Sequence, residues 1–545
     1  MTPERFDFRF MPAASASLAR DRIALYVLQL GALAVVLVAM PYKAFDLDRY
    51  FVPKELVLHI CAAVAAIRIV SARGRLTIRA VDMLLALFLV VSALSAAFAT
   101  NGWAAERALA ISISGAALFW VASALRKAGM VRPLLVALAV AVVVGAGTSL
   151  AQTYGVQSEY FSLNRVPGGT FGNRNFVAHL SAIGMPVVML VALTAPRGLG
   201  SLFGAIAMAV VAATLFLSRS RAAWLAVIAL AIPVSIIARA TWARWSEPRT
   251  IRRTLVLGLA AAVGVLAAVL LPNRLEWKSD SPYLDSAAGL VNYKQGSGAG
   301  RIVQYKNSLE MTFAHPVLGV GPGNWPVVYP RFASRNDPSM SQSADGMTSN
   351  PWPSSDWAAY LSERGFIGLA LLSLVMIGLA IRAIRDLREG GGRDPERVLT
   401  AIALIGTLIA TAVVGAFDAV LMIAAPTFFV WTLAGALRPV SGGAELEVSV
   451  PRFVPALMAI IAVIIVGRSA GQATAIAVAS TSTRTADLAR ASLLDPGNYR
   501  LRTKLAQAYL ARGDCARARP QARAARDLFP TAVEPKREII QCGGR

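Results

Sequence analysis

Several arginines stand at the ends of apolar stretches, on the same predicted side of a membrane as a long polar loop, residues 272–355. Arg219 and Arg221 lie at one helix junction, and Arg301 lies inside the loop. A guanidinium group stays protonated and offers phosphate oxygens a planar pair of donors. Fixed cations in a site of low dielectric stabilise a departing anion. This combination predicts chemistry on an anionic, lipid-linked substrate at one membrane surface.

Membrane helices are the elements that must position these arginines. Hydrophobic residues make up 56% of the 545-residue chain, which is too high a fraction for a soluble protein of several domains. A helix of roughly 20 apolar residues rises about 30 Å and crosses the hydrocarbon core. Windows of this kind predict about thirteen spans, near 23–41, 53–70, 81–98, 106–125, 133–152, 175–195, 200–217, 222–238, 254–271, 357–381, 398–416, 419–437 and 452–468.

The distribution of basic residues predicts the orientation of these helices. Lys and Arg concentrate in alternate loops, near residues 68–79, 126–132, 239–253 and 382–397. Such an excess marks the cytoplasmic side, so the loop 272–355 should face outward and an odd helix count puts the carboxyl terminus outside too. Much of the net charge of +23 is attributed to this orientation signal and to contacts with lipid headgroups. No nucleic-acid partner is expected. Because Met1–Arg22 is polar, no cleavable signal peptide is predicted.

The fold class is predicted as all-α, a polytopic membrane helical bundle. The predicted parts are N-terminal membrane helices in 1–271, the large loop 272–355, C-terminal membrane helices in 356–468 and a tail in 469–545. A loop of this length is expected to contain short helices of its own.

Four segments occur in the order found in one family of membrane proteins. They are residues 169–176 (GTFGNRNF), residues 217–224 (LSRSRAAW), Arg301 with residues 315–325 (HPVLGVGPGNW), and residues 354–357 (SSDW) with 363–368 (ERGFIG). Together they resemble the bacterial O-antigen ligase and polysaccharide polymerase superfamily. The resemblance implies a GT-C-like inner-membrane glycosyltransferase with no cofactor. Such an enzyme passes a glycan from undecaprenyl diphosphate on the periplasmic side to a glycan or lipid acceptor.

The resemblance also implies roles for three basic residues. Arg221 matches the arginine of the family's Ser-Arg-small motif, and Arg219 and Glu363 are expected to contact the substrate. An arginine at a helix end can also reach lipid headgroups, and one of Arg219 and Arg221 is expected to do so. Arg301 matches the second family arginine, and its alternative is a solvated loop charge. Lys54 matches a family basic residue that would contact the diphosphate, while pairing with Glu55 or a headgroup explains it equally well.

One position departs from the family pattern. Ser354 stands where ligases carry the histidine proposed as base, and serine cannot take a proton at neutral pH without a base of its own. Three other residues could act as the base in its place. Asp356 could instead cap a helix, Glu363 could instead pair with Arg364, and His179 could instead be a packing residue. The departure favours a polymerase, or a transferase to an unusual acceptor.

Two further patterns have competing interpretations. Asn173 and Asn175 either orient sugar and phosphate or cap the helix that follows them. The glycines at 319, 321 and 323 lack the strand and helix of a phosphate cradle, and Pro322 interrupts them. They predict a sharp turn with close backbone approach.

The tail resembles a tetratricopeptide unit. Pro496 and Pro530 are one repeat length apart, and the packing positions of the repeat are occupied by Leu505, Ala506, Tyr509, Gly513, Ala518 and Ala525. Because such a fragment cannot bury a core alone, it is expected to pack on the membrane domain or on a protein partner. The repeat geometry implies that Cys515 and Cys542 are adjacent and form a disulfide, the alternative being two free thiols.

Three rival interpretations stay open. Asp46 and Asp48 could hold a divalent cation against a diphosphate, although arginine as the charge stabiliser implies no metal. A lipid-linked glycan flippase would also use cations to guide an anionic headgroup. A non-catalytic scaffold of an envelope polysaccharide complex is the third. The preferred prediction is metal-independent, inverting transfer or polymerisation of the lipid-linked glycan.

Overall fold

The computed structural model describes residues 11–45, 47–196, 198–277, 279–289, 296–389, 393–439 and 444–543. Its regular structure is almost entirely helical. The helices are α1 (Met11–Leu37), α2 (Asp48–Ser71), α3 (Ala80–Ala97), α4 (Gly102–Lys127), α5 (Val131–Thr153), α6 (Arg174–Thr194), α7 (Leu199–Leu217), α8 (Arg221–Ala240), α9 (Trp242–Trp245), α10 (Pro248–Leu270), α11 (Pro282–Ala288), α12 (Gly296–Ala314), α13 (Trp325–Val328), α14 (Asp356–Glu389), α15 (Pro395–Phe417), α16 (Ala424–Leu437), α17 (Val454–Thr481), α18 (Thr485–Leu494), α19 (Tyr499–Leu510), α20 (Cys515–Leu528) and α21 (Glu534–Gln541).

Eleven of the described helices are long and apolar enough to cross a membrane: α2 to α8, α10, α14, α15 and α17. The chain is therefore a multi-pass, all-α membrane protein, as predicted. Helices α6 and α15 lie at the centre of the bundle, whereas α8, α10 and α17 leave most of their surface uncovered by protein. Apolar helices that are uncovered at the edge of a bundle face lipid.

Two predicted spans differ from the helices that occupy them. The window near 23–41 coincides with α1, which ends at Leu37 and carries charged residues in its first half. The window near 419–437 contains α16, which has 14 residues and begins only at Ala424. The helix starts late because the backbone N–H groups of Val420 and Leu421 donate to the Asp356 carboxylate, at 2.8 to 3.1 Å, and hold the preceding residues in a turn.

Two opposite faces of the bundle can be assigned from the contacts between distant segments. On one face a short antiparallel ribbon joins β1 (Arg75–Ile78), after α2, to β2 (Leu446–Ser449), before α17. On the other face the large loop meets the tail, where the Val533 N–H donates to the Asp345 carbonyl at 2.9 Å. We call this second side the loop face.

The tail consists of α18 to α21, which pack on one another in sequence order. Cys515, at the start of α20, and Cys542, after α21, form a disulfide with their Cα atoms 5.4 Å apart. The tail also contacts the membrane domain, because the Trp103 indole N–H at the start of α4 donates to Asp495 at 2.7 Å. The Arg468 guanidinium covers the same indole, 4.1 Å from the ring centroid. The expectation that the tail packs on the membrane domain is thus confirmed.

Helix α14 is broken at Gly365, and the glycine-rich segment of the large loop packs into the break. Gly365 has φ 68° and ψ −175°, a backbone conformation that only glycine adopts readily. The Phe366 N–H donates to the Pro316 carbonyl at 2.9 Å, and the Gly321 N–H donates to the Glu363 carbonyl at 2.9 Å. Backbone groups released by a broken helix need such partners where water is absent.

The same glycines have no room for a side chain. A Cβ at Gly319 would lie 2.3 Å from the Glu363 carbonyl carbon, and Gly319, Gly321 and Gly323 all have positive φ. The prediction of a sharp turn with close backbone approach is therefore confirmed by the backbone.

The variant Gly365→Ala is expected to destabilise the protein strongly. Its Cβ would lie 2.3 Å from the Val317 carbonyl oxygen, and the positive φ adds strain, so we expect a loss of about 2 kcal/mol or more. The melting temperature of the purified protein in detergent measures this. Gly258→Ala is the matched control, because a Cβ there meets nothing within 4 Å and alanine favours a helix. Equal melting temperatures for the two variants would contradict the account of the break.

Candidate active site

A buried histidine and a partly exposed aspartate meet at the loop face. His179, in the second turn of α6, is fully buried. Its Nε2 atom lies 3.9 Å from Asp418 Oδ2 and 3.4 Å from Ser220 Oγ. Its Nδ1 atom finds no hydrogen-bond partner among the described residues. Asp418 directly follows α15, and 16% of its side chain is exposed, so a substrate can reach the aspartate but not the histidine.

Asp418 is the site residue that our sequence interpretation missed. It is the only charged residue between Arg397 and Arg438 in the sequence. A lone acid between two apolar stretches is rare and is a functional candidate on energetic grounds alone. Its position, between the predicted spans 398–416 and 419–437, was the signal available.

The Ser-Arg-Ser-Arg turn between α7 and α8 lies beside this pair. Arg219 has φ 53°, an uncommon conformation for a residue with a side chain, and its neighbour Ser220 is the residue that contacts His179. Arg219 Nε donates to Ser286 Oγ at 2.9 Å, and its guanidinium lies over Trp277. Arg221 Nη1 donates to the Gly289 carbonyl at 2.6 Å.

The surroundings of this turn are partly desolvated. Burial lowers the pKa of Arg219 from its ordinary value, with Asp285 acting in the opposite direction, and burial raises the pKa of Tyr283. An anion bound here would meet less competition from water than at an open surface.

Arg301 approaches the pair from the large loop. It lies in α12, one turn before Tyr305, whose hydroxyl donates to the carbonyls of Ala416 at 2.8 Å and Ser354 at 3.0 Å. These bonds hold α12 against the end of α15. The Arg301 guanidinium lies 5.9 Å from the ring centroid of Phe417, next to Asp418, and is close enough to act electrostatically on His179.

Arg221 and Arg301 therefore lie on the same face. Arg221 directly follows Ser220, which contacts His179, and Arg301 acts electrostatically on the same histidine. The sequence prediction depended on a shared face, since arginines on opposite faces could not act on one leaving group. Residues 206–373 match the family model described as O-Antigen ligase. The chain carries an O-antigen ligase domain. No curated protein matches the chain.

The O-antigen ligase domain supplies only part of the site. Its span includes Arg219, Arg221 and Arg301, whereas His179 and Asp418 lie before and after it. The domain implies an enzyme that transfers glycans and uses lipid-linked glycans as substrates.

The two asparagines ahead of the O-antigen ligase domain have different positions. Asn173 caps α6, because its side-chain oxygen accepts from the Asn175 N–H at 2.9 Å. Asn175 belongs to the site, because its Nδ2 donates to Asp418 Oδ2 at 3.3 Å.

Lys54 is held by backbone carbonyls at the end of α1. Its ammonium group is buried and donates to the carbonyls of Val35 at 2.9 Å and Val38 at 2.8 Å, with Val36 at 3.5 Å. Lys54 thus caps the end of α1, and a diphosphate would have to displace these carbonyls. Glu55, the alternative partner, instead binds Arg107 through two contacts of 2.8 Å.

The two acids of α14 within the O-antigen ligase domain are both fully buried. The Asp356 carboxylate accepts the two backbone N–H groups of the turn before α16, and this geometry favours an anchor over a base. Glu363 accepts from the Trp325 N–H at 3.2 Å and pairs with Arg364 at 3.4 Å. It holds the glycine-rich segment in the break of α14.

The remaining candidates are Ser354 and the aspartate pair of the predicted first outside loop. The Ser354 N–H donates to Gln304 at 2.6 Å, which fixes the end of the large loop. Asp48 pairs with Arg107 at 3.3 Å, and Asp46 lies outside the described residues.

Proposed function

We propose that this protein is an inner-membrane glycosyltransferase that transfers or polymerises an undecaprenyl-diphosphate-linked glycan on the periplasmic side, with inversion and without a metal. The observation that carries the proposal is that Ser220, the neighbour of Arg221, contacts His179, while Arg301 lies against Phe417, the neighbour of Asp418. One site would then contain the arginines that stabilise the leaving diphosphate and the Asp418 carboxylate that accepts a proton from the incoming hydroxyl.

The arginines stabilise the leaving group. As the bond between the anomeric carbon and the diphosphate oxygen breaks, its electron pair passes to that oxygen, and negative charge grows on the diphosphate. Arg221 and Arg301 offset this charge without having to move, because their side chains are already held by Gly289 and against Phe417. Arg219 and Asn175 are proposed as additional substrate contacts.

Asp418 activates the acceptor. The acceptor oxygen attacks the anomeric carbon from the face opposite the diphosphate, which inverts its configuration, and the hydroxyl proton passes to the Asp418 carboxylate. Asn175 and His179 position that carboxylate. Lys54, Asn173, Asp356 and Glu363 are proposed to act on the shape of the site rather than on the substrate.

The proposed orientation has two supports. Basic residues concentrate on the loops opposite the loop face, which favours a cytoplasmic location for those loops. The Cys515–Cys542 disulfide favours an oxidising compartment for the tail.

The test is to reconstitute the full-length protein in lipid nanodiscs with a lipid-diphosphate-linked oligosaccharide. We expect release of the lipid diphosphate, with longer glycans if the protein is a polymerase or a glycosylated lipid if it is a ligase. A chelator should leave the rate unchanged, and loss of activity with the chelator would favour the aspartate metal site. Donor that stays intact here, yet crosses the bilayer in proteoliposomes, would favour the flippase.

A further inference from the structure

We propose that a cavity between the bundle, the large loop and the tail binds the acceptor, which is a glycan chain. The reacting end of this chain stacks on Trp352. This inference rests on the proposed function. The cavity has a volume of about 590 Å³, within the roughly 300–1,000 Å³ usual for small-molecule sites. Its floor is formed by α2 and α4, one wall by the tail, and its roof by loop residues 341–352.

The charges of the cavity exclude the anionic donor. Six carboxylates and four guanidinium groups line it, and two of the pairs are Glu55 with Arg107 and Glu363 with Arg364. This balance repels a diphosphate, in contrast to the arginine-rich site around His179. Paired charges on the floor also disfavour a hydrocarbon chain. A polar, uncharged ligand that makes many hydrogen bonds is compatible with the excess of carboxylates and with the paired charges on the floor.

The uncharged lining residues suit a carbohydrate. Trp352 and Tyr499 give the cavity aromatic side chains, and Asn101, Asn350 and Asn498 give it amides. Aromatic side chains combine an apolar face with a polar edge, and sugar rings likewise have apolar faces and polar edges. A few placed polar groups among aromatic walls are typical of small-molecule recognition.

The cavity adjoins the proposed active site through one layer of aromatic side chains. Trp352 lines the cavity, and its ring centroid lies 5.2 Å from that of Phe51 and 6.4 Å from that of Phe176. Phe176 in turn lies 6.2 Å from His179. The contacts from Trp352 through Phe176 thus lead to His179, the residue that faces the Asp418 carboxylate.

The tail completes the cavity and is fixed against it. Gly497 packs so closely on Trp103 that a Cβ there would lie 1.9 Å from the indole ring. The hydrogen bond from Trp103 to Asp495 holds the same stretch of the tail. The tail thereby becomes a wall of the acceptor site, which gives it a part in the reaction that does not require a protein partner.

The test separates the two substrates kinetically in nanodiscs that contain the full-length protein. The acceptor probe is the oligosaccharide freed from the lipid-diphosphate donor by mild acid. For Trp352→Ala we expect the KM for this oligosaccharide to rise about tenfold, the equivalent of about 1.4 kcal/mol, with the donor KM unchanged. Trp352→Phe should keep most of the affinity, because an aromatic face remains.

A second pair of variants tests the tail wall. Gly497→Val should displace the tail from Trp103 and raise the oligosaccharide KM in the same way. Arg490→Ala is the matched control, since this tail side chain is 81% exposed and does not line the cavity. Equal changes in donor and oligosaccharide KM, or no change in either, would overturn the inference.

Binding can also be measured without turnover. Saturation-transfer NMR should show contacts between the oligosaccharide and the wild-type protein that disappear in Trp352→Ala. If the wild type binds the oligosaccharide but never consumes the donor, the proposed function fails while the binding site stands. If the donor is consumed and the oligosaccharide shows no contact with the wild type, the inference fails alone.

Discussion

Replacing Arg221 with alanine is expected to lower the rate of glycan transfer by about 10²–10³-fold, as is usual when one preorganised donor to a developing anion is removed. Arg301→Ala should have a similar effect, because both guanidinium groups lie on the loop face and are proposed to act on the same diphosphate. Arg221→Lys should recover part of the rate, since an ammonium keeps the charge but loses the planar fork. Transfer from a lipid-diphosphate donor by the purified variants measures these losses.

Arg239→Ala is the control for Arg221. It lies at the other end of the same helix, α8, and is exposed, so we expect its rate to equal that of the wild type. If Arg221→Ala and Arg239→Ala transferred glycan equally fast, the proposed role of the turn between α7 and α8 would be excluded.

The variant Asp418→Asn is expected to lower the transfer rate by about 10²-fold or more, the usual contribution of a general base. Asparagine keeps the shape of the side chain and an oxygen that can accept the Ala419 N–H, so the melting temperature should change little. The measurement is the transfer rate of the purified variant, taken beside its melting temperature. A transfer rate equal to that of the wild type would contradict the role of Asp418 as the base.

Asp356→Asn serves as the contrast to Asp418→Asn. The Asp356 carboxylate accepts two backbone N–H groups in a fully buried setting, and the amide nitrogen of asparagine cannot accept from either of them. A lost hydrogen bond of this kind costs about 1–3 kcal/mol, so the variant should melt at a lower temperature, and its transfer rate should fall less than that of Asp418→Asn. The opposite result, in which Asp356→Asn loses more of the transfer rate at an unchanged melting temperature, would make Asp356 the base.

The sequence was most informative where local pattern determines structure. Apolar windows located the membrane helices because burial in lipid requires the same length and composition wherever a helix crosses. The glycine spacing indicated a sharp turn because glycine, which has no Cβ, adopts a positive φ without a steric penalty. The motifs around Arg221 and Arg301 resembled one family, and the O-antigen ligase domain spans both residues.

The sequence was least informative where distant segments meet. Nothing near Lys54 indicates that its ammonium group caps α1, and nothing near Asp356 indicates that it binds the turn before α16. The sequence position of Asp418 marks it as a candidate, but its partners His179 and Asn175 are known only once α6 packs beside it. The cavity beside Trp352 likewise exists only because the tail folds back onto Trp103. Such contacts depend on how the helices pack, which periodicity and motif spacing do not specify.

The most direct test of the central claim is to measure lipid-diphosphate release in one turnover by the Arg221→Ala and Arg301→Ala variants, with and without added guanidinium ion. The account predicts slow release by both variants and partial recovery with guanidinium, because the missing group acts on the leaving diphosphate. Release at the wild-type rate by both variants would contradict it.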